Sequence, residues 1–250
     1  MTGGRDTVVL PCAGTGSRLG LPIPKELVPT GPGRVALDHT LDLLAPHAQR
    51  LRLVAVLGPG REATARHLTA RCADLALPLA LCSQDAKLAE STGAVLSCAA
   101  WWGPATAVLL PDQILNAPAP SAVGDLLDLV RAGHRAAFLT AAESDRQRLA
   151  VDGALRLETV ADQAWPNVAD FADKPGLDQA DRFNAVWFAY AFAHRHGPAV
   201  LDVLHRATLR QPFGPEGIAP LLGAPTLDVG PFTDLGTWPS LAAAITGSVL

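Results

Sequence analysis

The sequence predicts an α/β protein with a mainly parallel sheet that is flanked by helices. Short apolar runs alternate with segments of helical periodicity through the first half of the chain. The runs are almost continuously apolar, which is typical of parallel strands buried on both faces. The composition, 49% hydrophobic and 18% charged over 250 residues, supplies enough apolar surface for a full core. Ligands of such sheets bind beyond the carboxyl ends of the strands, so the loops after Leu10 and Leu110 are candidate sites.

The elements of the amino-terminal half alternate in type. Predicted strands cover residues 8–10, 51–57, 77–82, 105–110 and 136–140, and predicted helices cover residues 35–45, 61–75, 92–101 and 121–131. In the first helix, Leu37, Leu41 and Leu44 recur at the i, i+4, i+7 spacing of one helical face.

The carboxyl-terminal part has a different pattern, which begins after about residue 149. Residues 149–160 predict a hairpin that turns at Asp152 and Gly153, and residues 181–192 predict a long aromatic strand. A helix over 198–209, a short strand over 226–229 and a final helix from about Pro239 complete the chain. Because no linker is evident, residues 1–250 are predicted to form one domain with two halves, about 1–148 and 149–250.

Composition and charge exclude several classes of protein. The net charge of -4 argues against a nucleic-acid partner, which usually requires a basic face. No apolar run approaches the roughly 20 residues of a membrane helix, and the amino terminus lacks the order of a signal peptide. The cysteines Cys12, Cys72, Cys82 and Cys98 form no CxxC pair, which predicts free thiols in a reducing compartment. We therefore expect a cytoplasmic protein without a membrane partner.

The segment VVLPCAGTGSRLGLPIPKEL, from Val8 to Leu27, carries the strongest functional signal. Gly14 and Gly16 follow a predicted strand, where bare backbone amides form a concave anion site. Arg18 offers a bidentate clamp for phosphate oxygens, and Lys25 offers a mobile point charge. The Walker pattern GxxxxGK[ST] is absent, and the third glycine of a GxGxxG fingerprint is replaced by a leucine. This combination predicts a site for a nucleoside triphosphate.

Two aspartates that lie far apart in the chain are candidate metal ligands. Asp112 follows a hydrophobic strand in AVLLPDQIL, and Asp234 precedes a Gly-Thr turn in FTDLGTW. Magnesium is usually held by one or two carboxylates together with substrate phosphates. The alternative roles, a helix cap or a turn aspartate, remain open for each residue taken alone.

These motifs together resemble the sugar-phosphate nucleotidyltransferases, the NDP-sugar pyrophosphorylases, and are similar to those of glucose-1-phosphate thymidylyltransferases. LPCAGTGSRLGLPIPKEL resembles their signature segment, LLPDQIL their metal strand and FTDLGTWPSLAAA their closing motif, in the family's order. The resemblance implies a Rossmann-like sheet of the nucleotide-diphospho-sugar transferase (GT-A-like) type, with a nucleotide half followed by a small β-rich sugar-phosphate half. It also implies the roles of the residues. The triphosphate would be held by Ala13, Gly14, Gly16, Ser17 and Arg18, the reacting phosphates by Lys25, and Mg²⁺ by Asp112 and Asp234.

The resemblance also extends to the second substrate. DFADKPG resembles the family's E-K-P segment, which makes Lys174 the ligand of the acceptor phosphate and places Asp173 where glutamate is usual. RFNAVWFAY resembles a sugar-binding strand, so Asn184 is a candidate sugar contact. Val186 stands where that pattern has glycine, and Glu216 is a weaker match to an acidic position.

Base recognition has a weaker signal. Gln84 matches a glutamine that reads the base edge in thymidylyltransferases, but Lys87 replaces the glycine of the turn that follows. His194 and His196 lack carboxylate neighbours in the sequence, which indicates structural or exposed residues.

The expected activity is a Mg²⁺-dependent transfer of a nucleotidyl group from an NTP (dTTP, UTP or CTP) to a sugar 1-phosphate, with release of pyrophosphate. One alternative is a cytidylyltransferase for an alditol phosphate or a phosphonate. Another is a nucleotide-binding module without catalysis. The sequence leaves the base, the acceptor and the oligomeric state open.

Overall fold

A computed structural model describes residues 4–14, 20–21, 23–161, 163–236 and 238–245, with the backbone alone for 243–245. Within these ranges the α-helices are α1 (Ala36–Leu44), α2 (Glu62–Asp74), α3 (Glu90–Ser97), α4 (Ala122–Arg131), α5 (Arg146–Val151), α6 (Gly197–Thr208) and α7 (Trp238–Ile245). The strands are β1 (Asp6–Cys12), β2 (Pro29–Gly31), β3 (Arg34–Val35), β4 (Leu51–Leu57), β5 (Leu79–Ser83), β6 (Ala105–Leu109), β7 (Gln113–Leu115), β8 (Ala136–Ala142), β9 (Gly153–Glu158), β10 (Asn167–Asp173), β11 (Ala185–Ala193), β12 (Thr226–Asp228) and β13 (Phe232–Asp234).

The main sheet has nine strands in the part of the chain that the structure describes. Its order is β10-β9-β11-β6-β1-β4-β5, and β8 joins β11 to β12 off this path. Strands β1, β4, β5 and β6 pair in parallel, as do β8 and β12, whereas β11 is antiparallel to its three neighbours and β10 is antiparallel to β9. Only β10 and β11 therefore run against the common direction. The predicted α/β fold with a mainly parallel sheet is confirmed, and strands from both predicted halves share the sheet.

Helices cover both faces of this sheet. Helices α1, α2 and α4 pack with alternate strand residues such as Val8 and Leu53. Helices α3 and α6 pack with the intervening residues, such as Val9 and Val54, on the other face. This alternation follows from the period of two along a strand, and it explains why the central strands are apolar throughout. In the described part of the chain, no helix is both long and apolar enough to cross a membrane.

The predicted hairpin at Asp152 and Gly153 is wrong. Residues before Asp152 form helix α5, which begins where the Asp145 carboxylate accepts a hydrogen bond from the Gln147 amide. Strand β9 starts at Gly153 and pairs with β10. Gly153 is required by packing, because a Cβ there would lie 1.9 Å from Nε1 of Trp187. A glycine can thus indicate either a turn or a close approach of two structural elements.

The long aromatic strand is shorter than predicted. Residues Ala180–Arg182 form a 3-10 helix, and β11 begins only at Ala185. The amide of Asn184 donates to the carbonyl of Leu155 and so starts the pairing with β9.

Candidate active site

Asp112 lies at the carboxyl end of the central strand β6 and is 4% exposed. Its carboxylate forms an ion pair with Nζ of Lys25. Lys25 opens a 3-10 helix, Lys25–Leu27, directly after Pro24. Lys25 and Asp112, which were predicted to contact the reacting phosphates and Mg²⁺, respectively, therefore lie side by side. They lie beyond the carboxyl end of β6, the edge at which α/β sheets typically bind ligands.

Asp234 is brought to Asp112 by a short antiparallel ladder. In the pair β7 and β13, Asp234 lies opposite Gln113, the residue after Asp112. The amide of Leu235 donates to the carbonyl of Asp112 at 2.9 Å, and Nε2 of Gln113 donates to Oδ2 of Asp234 at 3.5 Å. Two carboxylates that lie far apart in the sequence thus become neighbours.

The pKa of Asp234 is raised from 3.8 to about 6, first by burial and then by the negative charge of Asp112. Lys25 and the amide of Gly236 act in the opposite sense but do not cancel these effects. Two neighbouring carboxylates whose repulsion is only partly offset are oxygen donors suited to a divalent cation. No cluster of three or more His, Cys, Asp or Glu side chains with metal-binding geometry occurs among the described residues. The pair therefore fits Mg²⁺ whose remaining ligands are phosphate and water oxygens.

The raised pKa predicts how the stability of the metal-free protein changes with pH. The folded chain holds the Asp234 proton more tightly than the unfolded chain, so the neutral carboxyl favours folding at low pH. That contribution, about 3 kcal/mol for a rise from 3.8 to about 6, is lost as pH rises from about 4 to about 6. Urea unfolding in EDTA measures it as the difference between wild type and Asp234→Asn. A difference that stays constant across this pH range would contradict the assigned environment.

The glycine loop begins directly after β1. Ala13 packs against Gly58, where a Cβ would lie 2.8 Å from the Ala13 carbonyl oxygen. The guanidinium of Arg61 donates to the carbonyl of Gly14. The sequence did not identify Gly58 or Arg61, because each contacts the backbone of a loop that is distant in the sequence.

The remaining residues of the predicted triphosphate cradle lie outside the described residues. They are Gly16, Ser17 and Arg18. Their contribution to triphosphate binding stays a prediction.

All four cysteines are free. Cys12 is buried beside the site, and burial, followed by the charges of Glu26 and Asp112, raises its pKa. It is therefore a neutral thiol and a poor nucleophile.

Asp173 ends β10, and Lys174, the residue predicted to bind the acceptor phosphate, follows it. Lys174 is about half exposed and adopts a left-handed backbone conformation, with φ of +52°. Its amide donates to the carbonyl of Asp152 at 3.0 Å, and its ammonium lies 3.9 Å from the Asp173 carboxylate. Asp173 lines a cavity of about 20 Å³ together with apolar side chains from β6, β10, β11 and α6 and with hydroxyl side chains from α3 and α6. A strained backbone is typical of functional positions.

Asn184 directly precedes β11 and Val186 lies within it, and both have structural contacts. Nδ2 of Asn184 donates to the Leu157 carbonyl at 3.0 Å, and its Oδ1 accepts from the Leu157 amide at 2.8 Å. The side chain thus extends the ladder between β9 and β11. Val186 is fully buried in the core. The proposed sugar contact of Asn184 stays a prediction, and such a contact would have to share these atoms.

Gln84 contacts the segment that starts α3. Its Nε2 donates to the carbonyls of Leu88 and Glu90, at 2.5 and 3.2 Å. Glu90 has a φ of +63°, so it also adopts the left-handed backbone conformation. Lys87 is exposed, and its amide donates to Asp85. The side-chain amide of Gln84 thus holds the segment before α3 through two hydrogen bonds. Its predicted contact with the base stays a prediction.

The other residues noted in the sequence lie on the surface or at its margin. Glu216 is exposed in a turn, and His194 and His196 lie in a 3-10 helix where His194 contacts the ring of Trp102 edge to face. One arginine and two acidic residues close to Lys174 were not identified from the sequence. They are Arg148, Asp152 and Glu143, and no motif marks them.

Burial raises the pKa of Asp152, while Arg148 and Lys174 lower it. After burial and the charge of Asp112, the charge of Asp152 also acts to raise the pKa of Asp234.

No protein-family model matches the chain. Two curated relatives match a short segment. They are the 2-C-methyl-D-erythritol 4-phosphate cytidylyltransferases of Stenotrophomonas maltophilia strain R551-3, 44% identical over 52 residues, and strain K279a, 43% identical over 51 residues. The matched segment covers 21% and 20% of this chain, respectively, and 22% of each relative.

Solved structures match almost the whole chain. A UDP-glucose pyrophosphorylase complexed with UDP-glucose has a TM-score of 0.72 at 17% identity and covers 98% of both chains. A UTP-bound UGPase from Acinetobacter baumannii has a TM-score of 0.72 at 18% identity, covering 98% of this chain and 93% of that one. A putative glucose-1-phosphate thymidylyltransferase from Bacillus anthracis has a TM-score of 0.71 at 16% identity, covering 98% and 95%. The chain therefore has the fold of the sugar-phosphate nucleotidyltransferases, as its motifs predicted.

Proposed function

We propose that this protein is a Mg²⁺-dependent nucleotidyltransferase that joins an NTP to a sugar 1-phosphate, giving an NDP-sugar and pyrophosphate. The observation that carries the proposal is the convergence of Asp112, Asp234 and Lys25 at the carboxyl end of the central strand. A lysine beside a carboxylate pair that suits a divalent cation is an arrangement that binds a polyanion such as a triphosphate together with its metal ion. The likeness in fold to pyrophosphorylases supports the same reaction class.

The reaction requires positioning and charge neutralisation more than acid–base chemistry. An oxygen of the acceptor phosphate forms a bond to the α-phosphorus of the NTP while the bond to the β-phosphate oxygen breaks. The attacking oxygen is already anionic, so no general base is needed. Lys25 would bind the α-phosphate, Arg18 the departing pyrophosphate and Lys174 the incoming phosphate. Mg²⁺ bound by Asp112 and Asp234 would supply positive charge to the phosphate oxygens.

A cytidylyltransferase acting on an alditol phosphate or a phosphonate is the second candidate. The observation that favours it is the 44% identity over 52 residues to a 2-C-methyl-D-erythritol 4-phosphate cytidylyltransferase.

A substrate panel tests both candidates. Each of dTTP, UTP and CTP is combined with several sugar 1-phosphates, alditol phosphates and phosphonates, and pyrophosphate release is measured with Mg²⁺ and with EDTA. Release with a sugar 1-phosphate supports the first candidate, and release only from CTP with an alditol phosphate or phosphonate supports the second. Nucleotide binding without release from any pair would contradict both and indicate a binding module without catalysis.

Lys174 provides a prediction for the acceptor side alone. Because its backbone is left-handed, the suitable variant is Lys174→Asn, since asparagine tolerates this conformation and lacks the ammonium. Loss of one charge-assisted contact to phosphate should raise the KM of the acceptor by about 10- to 100-fold and leave the KM of the NTP almost unchanged. Steady-state kinetics with each substrate varied in turn measure the two constants. An equal rise in both would show that Lys174 does not select the acceptor.

A further inference from the structure

The side chain of Arg148 joins three other residues beside the candidate site. Its Nη2 donates to the carbonyl of Phe232 at 2.9 Å, and its Nε donates to Oδ2 of Asp152 at 3.3 Å. Its Nη1 lies 3.5 Å from Oε2 of Glu143. The guanidinium also lies over the ring of Phe232, 4.6 Å from its centre. All three nitrogens are thus used, in the fixed directions of a planar group.

One of these contacts holds the metal side of the site. Phe232 begins β13, and Asp234 ends it two residues later. This strand has three residues and pairs with the three-residue strand β7. Such a short ladder has few hydrogen bonds of its own, so the contact from Arg148 to the Phe232 carbonyl adds a fixed point close to Asp234.

Another contact holds the acceptor side. The carbonyl of Asp152 accepts the amide of Lys174 at 3.0 Å, and the carbonyl of Ala150 accepts the amide of Gly176 at 3.1 Å. The left-handed Lys174 thus depends on a turn anchored to the end of α5. Because the Asp152 side chain pairs with Arg148, the same guanidinium fixes this anchor as well.

We propose that Arg148 is a positioning residue that holds the Asp234 strand and the Lys174 turn in one arrangement. The inference rests on the proposed function, because it concerns how the metal pair and the acceptor lysine are aligned. Arg148 contacts no reacting group, and its effect passes through Phe232 and Asp152. Lysine would keep the charge but could not donate in three fixed directions.

The test compares Arg148→Gln and Arg148→Lys with Arg156→Gln, a control whose exposed arginine pairs only with Glu158 among the described residues. Loss of an outer contact to a metal site typically weakens metal binding by about 10- to 100-fold. Both Arg148 variants should raise the acceptor KM about 10-fold, keep the NTP KM within about twofold, and weaken Mn²⁺ binding about 10-fold by electron paramagnetic resonance. Arg156→Gln should match the wild type in all three.

Asp152→Asn serves as a further variant if Arg148→Gln does not fold, since it removes the ion pair and keeps the carbonyl that anchors Lys174. It should raise the acceptor KM and weaken Mn²⁺ binding in the same direction. Wild-type values in all variants, equal rises in both KM values, or full rescue by Arg148→Lys would overturn the proposal. If the wild type releases no pyrophosphate from any substrate pair, the proposed function fails, and the Mn²⁺ affinities alone decide the role of Arg148.

Discussion

Asp112→Asn is expected to reduce pyrophosphate release by roughly 10²- to 10³-fold, since removing one preorganised electrostatic group at a reacting centre has this effect. The side chain is buried at the end of β6, and its carboxylate contacts Lys25 and neighbours Asp234. Asparagine keeps the shape but carries no charge, so it would bind Mg²⁺ weakly and would not form the ion pair with Lys25. The measurement is kcat at saturating NTP, acceptor and Mg²⁺.

The control for this variant is Asp125→Asn, which changes an exposed aspartate on α4. Far-UV circular dichroism should show that both variants retain the wild-type fold. Full activity of Asp112→Asn at saturating Mg²⁺ would refute the metal assignment, and equal losses in both variants would point to a general defect.

Lys25→Gln should lower kcat by a similar factor of roughly 10²–10³ for a separate reason. Its ammonium forms an ion pair with Asp112 and lowers the pKa of Asp234. Its removal takes charge from the α-phosphate and also raises the pKa of Asp234 further. The acidic limb of the pH profile of kcat/KM should therefore move to higher pH, because a carboxyl that must be ionised would lose its proton later.

Arg66→Gln is the matched cation control, because Arg66 is exposed on α2. It should leave both kcat and the pH profile unchanged. If Lys25→Gln lowered kcat with an unshifted acidic limb, Lys25 would act on the nucleotide but not through the carboxylate pair.

The central part of the fold could be predicted from the sequence because its signals are local. Strands buried on both faces are continuously apolar, and the helices between them repeat their apolar residues at helical spacing. The predicted strand at residues 51–57 matches β4, and the predicted helix at 121–131 nearly coincides with α4. The same local reasoning failed at Gly153, where a glycine that admits the ring of Trp187 was interpreted as a turn.

The candidate site was predictable in part. Asp112, Asp234 and Lys25 were identified from motifs, and their residue types predicted oxygen ligands and a phosphate contact. Arg148 and Asp152 were not identified, since their importance comes from contacts with the backbone of β13 and of the Lys174 turn. A backbone carbonyl is present at every residue, so a contact with it does not depend on which side chain the partner carries. Such contacts therefore produce no sequence motif.

The amino-acid sequence alone predicts the class of fold and the residue types of the candidate site, which are two aspartates and a lysine. The tertiary structure decided which of those side chains meet. Strand β13 returns the far end of the chain to β7, and burial beside Asp112 then raises the pKa of Asp234 to about 6. Proximity across most of a chain depends on which strands pair and how deeply they are buried, and neither is a property of any short stretch of residues.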